Sequence, residues 1–302
     1  MKASIKDYLM LHFIVLIWGF TAILGLLISL EALELVFYRT LIATLGVATI
    51  FLFKRQNLLL PIHQMVKITA IGFVICVHWV LFFWSAQVST ASVCLAGMAT
   101  TSLWTAFVEP LFNRTRIKWY EVALGIMVIS GLLVIFSFES GYWLGLSMAL
   151  ASAFLAAVFS VLNGKLAPNF NPYQVTFYEM AGACLFSVLF MPIYGNYLSE
   201  DGLNLVWQRY DWFWLFLLGG VCTVYAFSVS VELMKRLSVF SINLTINLEP
   251  VYGIILAVLV FGESEKMTPQ FYLGTGIILI SVLSYPVLNY WNRRRKPVRP
   301  LG

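Results

Sequence analysis

The stretch SINLTINLEPVYGIILAVLVFGE, residues 241–263, is apolar and long enough to cross a membrane, yet it carries a glutamate and a proline, Glu249 and Pro250, at its centre. A hydrocarbon core about 30 Å thick takes roughly 20 residues of helix. Comparable apolar runs recur along the chain, at approximately 8–28, 33–53, 65–86, 90–109, 119–138, 143–165, 173–195, 212–234, 239–261 and 270–290. Of the 302 residues 61% are hydrophobic and 11% charged, and the mean hydropathy is +0.87, so a water-soluble globule is excluded. The runs lack the period-two alternation of barrel strands. The expected fold class is therefore all-α and integral to the membrane, with ten transmembrane helices.

The first run passes through Ser29, Leu30 and Glu31 into the next with no small-residue cleavage site, so it is expected to be retained. Cys76, Cys94, Cys184 and Cys222 all fall within spans and read as small apolar side chains, not as a disulfide framework or a zinc site. With ten spans both termini lie on one side. That side collects Lys2, Lys6, Lys54, Arg55, Lys67, Arg114, Arg116, Lys118, Lys165, Lys235, Arg236 and the basic tail 291–302. The other side has Arg209 and Lys266 among the acidic connections Glu31/Glu34, Glu139, Glu200/Asp201/Asp211 and Glu263/Glu265. The positive-inside rule puts both termini in the cytoplasm, in a multi-pass protein of a bacterial cytoplasmic (plasma, cell inner) membrane. Basic loops beside anionic headgroups account for the net charge of +5 without a nucleic-acid partner. Trp119, Trp143, Trp207, Trp212, Trp214 and Trp291 fall near span ends, where an interfacial belt belongs.

The halves of the chain resemble each other. VFYRTLIA (36–43) matches TFYEMAGA (176–183), and YEVALGIMVISG (120–131) matches FYLGTGIILISV (271–282). Five spans per half make two repeats, 1–138 and 139–290, of opposite orientation, and such inverted repeats place a substrate site near the midplane between them. Arg39 and Glu179 occupy the same position in the two repeats. They are expected far apart, each either near one mouth of a central pathway or as an anchor bonded to neighbouring polar groups.

These residues carry a family resemblance. WGFTAILG (18–25), FYRTLIA (37–43), GGVCTVYAFSVSVELMKRLSVFSINLTINLEPVYGIILAVLVFGE (219–263) and GTGIILIS (274–281) resemble the drug/metabolite transporter superfamily, and within it the EamA-type exporters, among them exporters of aromatic amino acids and other metabolites. The resemblance spans nearly the whole chain. It implies export of small organic molecules by alternating access, and it names no substrate. The first-repeat counterpart of Leu248-Glu249-Pro250 falls on Thr100-Thr101, so neither the carboxylate nor the proline is duplicated.

Residue counting brings Trp18, His78, Trp79, Thr100, Thr101, Trp104, Tyr225, Asn247, Glu249 and Tyr252 to the bilayer centre, with His78 and Tyr225 as repeat equivalents. His78 is expected to be neutral, either bonded within the core or facing a wet cavity. On a wheel of 100° per residue Ser241, Thr245, Glu249 and Tyr252 form one stripe, with Asn243, Asn247 and Pro250 opposite, so the helix is expected to be buried among others. Pro250 is expected to kink it. Three roles for Glu249 stay open: a proton-coupling acid, a counter-charge for an amine, or a residue that holds the bend. The small residues Ala149, Ala153, Ala157 and Ser152, Ala156, Ser160 read as close helix packing. With no Lys or Arg expected at the midplane, anionic polyphosphates are disfavoured, and neutral, zwitterionic or cationic molecules suit the aromatic lining better.

The expected function is secondary transport, as an exporter, of a small amino-acid-like or drug-like metabolite, with no cofactor and with either a proton gradient or the substrate's own gradient as the energy source. The partners expected are that small molecule and the lipid bilayer, and the protein is a monomer or homodimer. An embedded enzyme or lipid-handling protein would need catalytic groups clustered at an interface, and the spacing offers none.

Overall fold

The computed structural model describes residues 4–114, 119–138, 140–199 and 202–295. Lys2, Arg116, Lys118, Glu139, Glu200, Asp201 and the tail beyond Arg295 lie outside the described residues, as do the side chains of Trp119, Arg293, Arg294 and Arg295. Among the described residues the chain is helical and contains no strand. The helices are α1 (Ile5–Gly19), α2 (Thr21–Leu27), α3 (Ala32–Phe53), α4 (Ile62–Val88), α5 (Ala91–Met98), α6 (Thr101–Asn113), α7 (Trp119–Phe138), α8 (Trp143–Leu166) and α9 (Pro172–Tyr197). They continue as α10 (Asp211–Phe216), α11 (Ala226–Leu233), α12 (Val239–Ile246), α13 (Glu249–Phe261) and α14 (Pro269–Arg295).

Eight segments are long and apolar enough to cross a membrane, from Ile5–Leu27 to Ser241–Glu265, and a shorter apolar helix covers Ala123–Ile135. These nine fall on the first nine expected runs, and α14 covers the tenth. Large apolar side chains such as Leu52, Leu189, Leu259 and Ile280 stand on the outside of the bundle, as a lipid-facing surface requires.

Several spans are not single helices. The fourth span is α5 followed by α6, with a turn at Ala99 and Thr100. The ninth is α12 followed by α13, with a turn at Asn247 and Leu248. The first halves are both 8 residues long and the second halves both 13. The break is thus a repeated feature, although the Glu-Pro pair is not. Pro250 stands in the first turn of α13, where a missing N–H costs no helical hydrogen bond, so it starts a new helix and does not kink an old one. Two expectations for this span are corrected. The ladder is interrupted three residues before the proline, and the second half, α13, exposes Ile255, Leu259 and Val260 instead of being enclosed. The more enclosed of the pair is the first-repeat copy, with 83% of its apolar window buried against 33% for the second.

The two broken helices cross: α5 packs on α13, and α6 packs on α12. Elsewhere α4 lies against α8 and α9, and α7 against α14. The contact of α4 with α9 is a backbone-to-backbone approach. A Cβ on Gly72 would stand 2.4 Å from the Glu179 carbonyl oxygen, and one on Gly182 2.2 Å from that of Thr69.

Candidate functional site

A cavity of about 80 Å³ lies at the breaks, between the repeats. At roughly 10–15 Å³ per water it has room for on the order of half a dozen waters. The first repeat lines it with Trp18, Thr21, Arg39, His78, Trp79, Phe82, Met98 and Thr101. From the second come Ala156, Phe159, Ser160, Asn163, Phe227, Ser230, Val231, Met234, Asn243, Ile246 and Glu249.

Arg39 reaches inward from α3 and is held by a hydrogen bond and by ring contacts, the nearer with Trp79 and the farther with Phe83 at 5.6 Å. Its Nε donates to Thr223 Oγ1 at 2.9 Å, and its guanidinium carbon lies 3.7 Å from the centroid of the Trp79 ring. Among the described residues it makes no ion pair, so its terminal N–H groups are left to the cavity it lines. The expectations of a midplane without arginine and of Arg39 at a pathway mouth are corrected here. The side chain is long, and it lies along Trp79 into the centre instead of toward the nearer surface.

Thr223 reaches Arg39 because the chain between α10 and α11 is wound as a π-helix, Leu217–Tyr225. Its hydroxyl donates to the Leu218 carbonyl five residues back. At the end of this segment the Ala226 N–H turns to the carbonyls of Val221 and Thr223, and that of Cys222 accepts Trp18 Nε1 at 2.9 Å. The wider winding also changes the angular register downstream. Tyr225, the repeat counterpart of His78, consequently points away from the cavity, its hydroxyl 3.4 Å from Met10 Sδ and its ring on the half-exposed Phe13.

His78 is locked from α8. Its Nδ1 lies 2.9 Å from the Ser152 carbonyl oxygen and 2.7 Å from the Ser152 hydroxyl, which donates to the His78 carbonyl at 2.9 Å. A carbonyl only accepts, so Nδ1 carries the proton and Nε2 keeps its lone pair. The cavity therefore receives an acceptor from His78. The small-residue face Ser152, Ala156, Ser160 thus supports His78 and lines the cavity, whereas the neighbouring face packs: a Cβ on Gly97 would stand 2.5 Å from that of Ala149.

Glu249 and Thr101 are the first residues of α13 and α6, the same position in the two repeats, and both line the cavity. Helix N-termini carry partial positive charge. Asn243 lines it too and donates to Thr105 Oγ1 at 2.8 Å. The straight-helix wheel set Asn243 and Glu249 on opposite faces. The turn at Asn247 and Leu248 rotates α13 against α12 and brings both inward. No Arg39–Glu249 pair is among the ion pairs of the described residues.

Besides Tyr225, and Thr100 in the turn between α5 and α6, four of the expected residues lie elsewhere. Trp104 packs on Phe154, its Nε1 buried without a partner. Asn247 is fully buried in the turn, and Tyr252 packs over Gly19. Glu179 is fully buried behind the wall and accepts from Asn163 Nδ2 at 3.4 Å, so it is not at a mouth. The residues that sequence reasoning missed are of two kinds. Asn163 and Asn243 are amides in apolar spans and carried a signal of their own. Phe159 and Phe227 carried none, because a phenylalanine looks alike in a wall and in a core.

A model of a family described as "EamA-like transporter family" matches residues 6–137 and 143–285, one match per repeat. Among solved structures, a crystal structure 18% identical superposes with a TM-score of 0.67 over 97% of this chain and 100% of its own, a likeness of fold. No curated protein sequence matches the chain.

Proposed function

The chain belongs to the EamA-like transporter family, and from that premise we propose that it is a ten-helix secondary exporter of a zwitterionic, amino-acid-like metabolite with an apolar or aromatic side chain. The observation that carries this reading is that Arg39 and Glu249, from opposite repeats, face one cavity without pairing with each other. A carboxylate suits the guanidinium, whose planar fork donates two hydrogen bonds to it. An ammonium suits Glu249 and the Nε2 lone pair of His78. Trp79, Phe82, Phe159 and Phe227 offer rings to the side chain. With Arg39 in the wall, one anionic group is accommodated, while a polyphosphate would still lack its further cations.

In this reading both termini are cytoplasmic, the membrane is a bacterial plasma membrane, the assembly is a monomer or homodimer, and a coupled proton or the substrate's own gradient drives export. The test is uptake of radiolabelled L-phenylalanine into liposomes containing the protein, with two competitors: its methyl ester, which lacks the carboxylate, and 3-phenylpropionate, which lacks the amine. Unlabelled phenylalanine should compete best, and each analogue, having lost one of the two charges, more weakly. Equal competition by all three would refute the two-charge site.

A further inference from the structure

A second carboxyl lies one layer behind the cavity wall. Glu179 on α9 is 0% exposed, its Oε1 has no hydrogen-bond partner, and its Oε2 receives one long contact, 3.4 Å from Asn163 Nδ2. Asn163 is itself 1% exposed and lines the cavity, so the amide stands between the cavity and the carboxyl. Asn163 Oδ1 and Asn243 Oδ1 are also buried without partners. All three atoms are acceptors, and a proton on Glu179 would convert one of them into a donor. A bare carboxylate in such a place is costly without a cation.

Charged and titratable groups on the helices packed against Glu179 are bound elsewhere, turned to the cavity or exposed. On α3, Arg39 lies on Trp79, Glu34 accepts from Asn204 N, and Lys54 sits over Tyr173. On α4, His78 is bound to Ser152, Cys76 contacts Ser187, and Lys67 is exposed. Lys165 of α8 donates to the Phe112 carbonyl, and Glu232 of α11 bridges Lys235 and Arg236. None of them supplies Glu179 with a counter-charge.

We propose that Glu179 is the proton-carrying carboxyl of this protein, loaded from cavity water when the Asn163 side chain moves aside, and separate from the substrate charges Arg39 and Glu249. The carboxylate takes up one proton from water admitted on one side of the membrane and returns it to water on the other, with no electron transferred. The transport part of the proposal rests on the exporter reading; the proton site itself does not.

Two measurements separate them. Potentiometric titration of the purified protein needs no substrate: wild type should bind one more proton per chain than Glu179→Gln between pH 5 and 9, on the order of the range carboxyls reach when buried. Equal proton counts would overturn the proposal, whether the carboxyl is always charged or never gives up its proton. Glu179→Asp keeps a carboxyl, and it should restore the extra proton at a displaced midpoint, which decides the matter should the glutamine variant not fold. In liposomes with labelled L-phenylalanine, a pH gradient should accelerate wild-type flux, and the ratio of flux with and without the gradient should fall to about one in Glu179→Gln. A gradient response retained by that variant, or flux driven by a sodium gradient at constant pH, would overturn the coupling role. Wild type that moves no amino acid would refute the substrate reading, while the titration would still decide the proton site.

Discussion

At the scale of single residues, the site depends on one cation held by an aromatic face. Arg39 spends one N–H on Thr223 and lays its plane on Trp79, which leaves its other donors for a ligand. A lysine has no plane to stack and no fork, so Arg39→Lys should weaken phenylalanine binding although the charge is kept. Loss of a charged hydrogen bond is worth about 1.5–3 kcal/mol, so a tenfold to hundredfold rise in Kd by equilibrium dialysis is expected. An unchanged Kd would remove Arg39 from the site. Glu249→Gln should cost a similar factor for phenylalanine and little for 3-phenylpropionate, because only the former brings an ammonium. Equal losses for both would show that Glu249 supports the helix start and does not meet the ligand.

At the scale of elements, the decisive features are interruptions. α5/α6 breaks without proline and α12/α13 with it, so the break is set by what the two segments pack against and not by the pyrrolidine ring. Pro250→Ala should therefore leave the turn in place, shifting stability by less than about 1 kcal/mol and phenylalanine flux by less than about twofold; a large loss of flux would restore the proline to a shaping role. Close helix approach makes the opposite prediction for a glycine. Gly182→Ala drives a Cβ into the Thr69 carbonyl, a backbone atom that cannot move aside alone. A loss of about 3 kcal/mol is expected by denaturation in detergent, against neutrality or a gain of up to about 1 kcal/mol for Gly276→Ala, which meets nothing within 4 Å.

At the scale of the molecule, buried carboxylates tie helix ends together on either side of the cavity. Glu265 beyond α13 accepts from Ala91 N at 2.9 Å and Ser92 N at 3.0 Å at the start of α5, and Asp211 accepts from Ser29 N at 3.0 Å and from its hydroxyl. At the other end of the first span, in the first turn of α1, Asp7 pairs with Arg236 at 2.8 Å. In the proposed exporter, alternating access would require such ties to open in turn. Glu265→Gln replaces one acceptor oxygen by a donor facing the same backbone N–H groups, and spin labels at Ser264 and Val88 should then report a broader, longer distance distribution; an identical one would mean that the contact only caps α5. Composition and the length of the apolar runs were enough to determine a helical membrane protein, since crossing a hydrocarbon core leaves apolar runs of about 20 residues no other way to satisfy their backbone, and the internal matches between 36–43 and 176–183 and between 120–131 and 271–282 added its two repeats. SINLTINLEPVYGIILAVLVFGE announced its polar centre in the same way, because a carboxylate inside an apolar run is costly wherever the run packs. Which residues meet was decided by tertiary structure alone. A wheel assumes one unbroken helix, and the turn at Asn247 and Leu248, the π-wound segment before α11 and the reach of Arg39 across Trp79 each rotate or extend a side chain through contacts with helices distant in sequence. Local periodicity contains no term for those contacts, so the bundle could be read from the chain and its cavity could not.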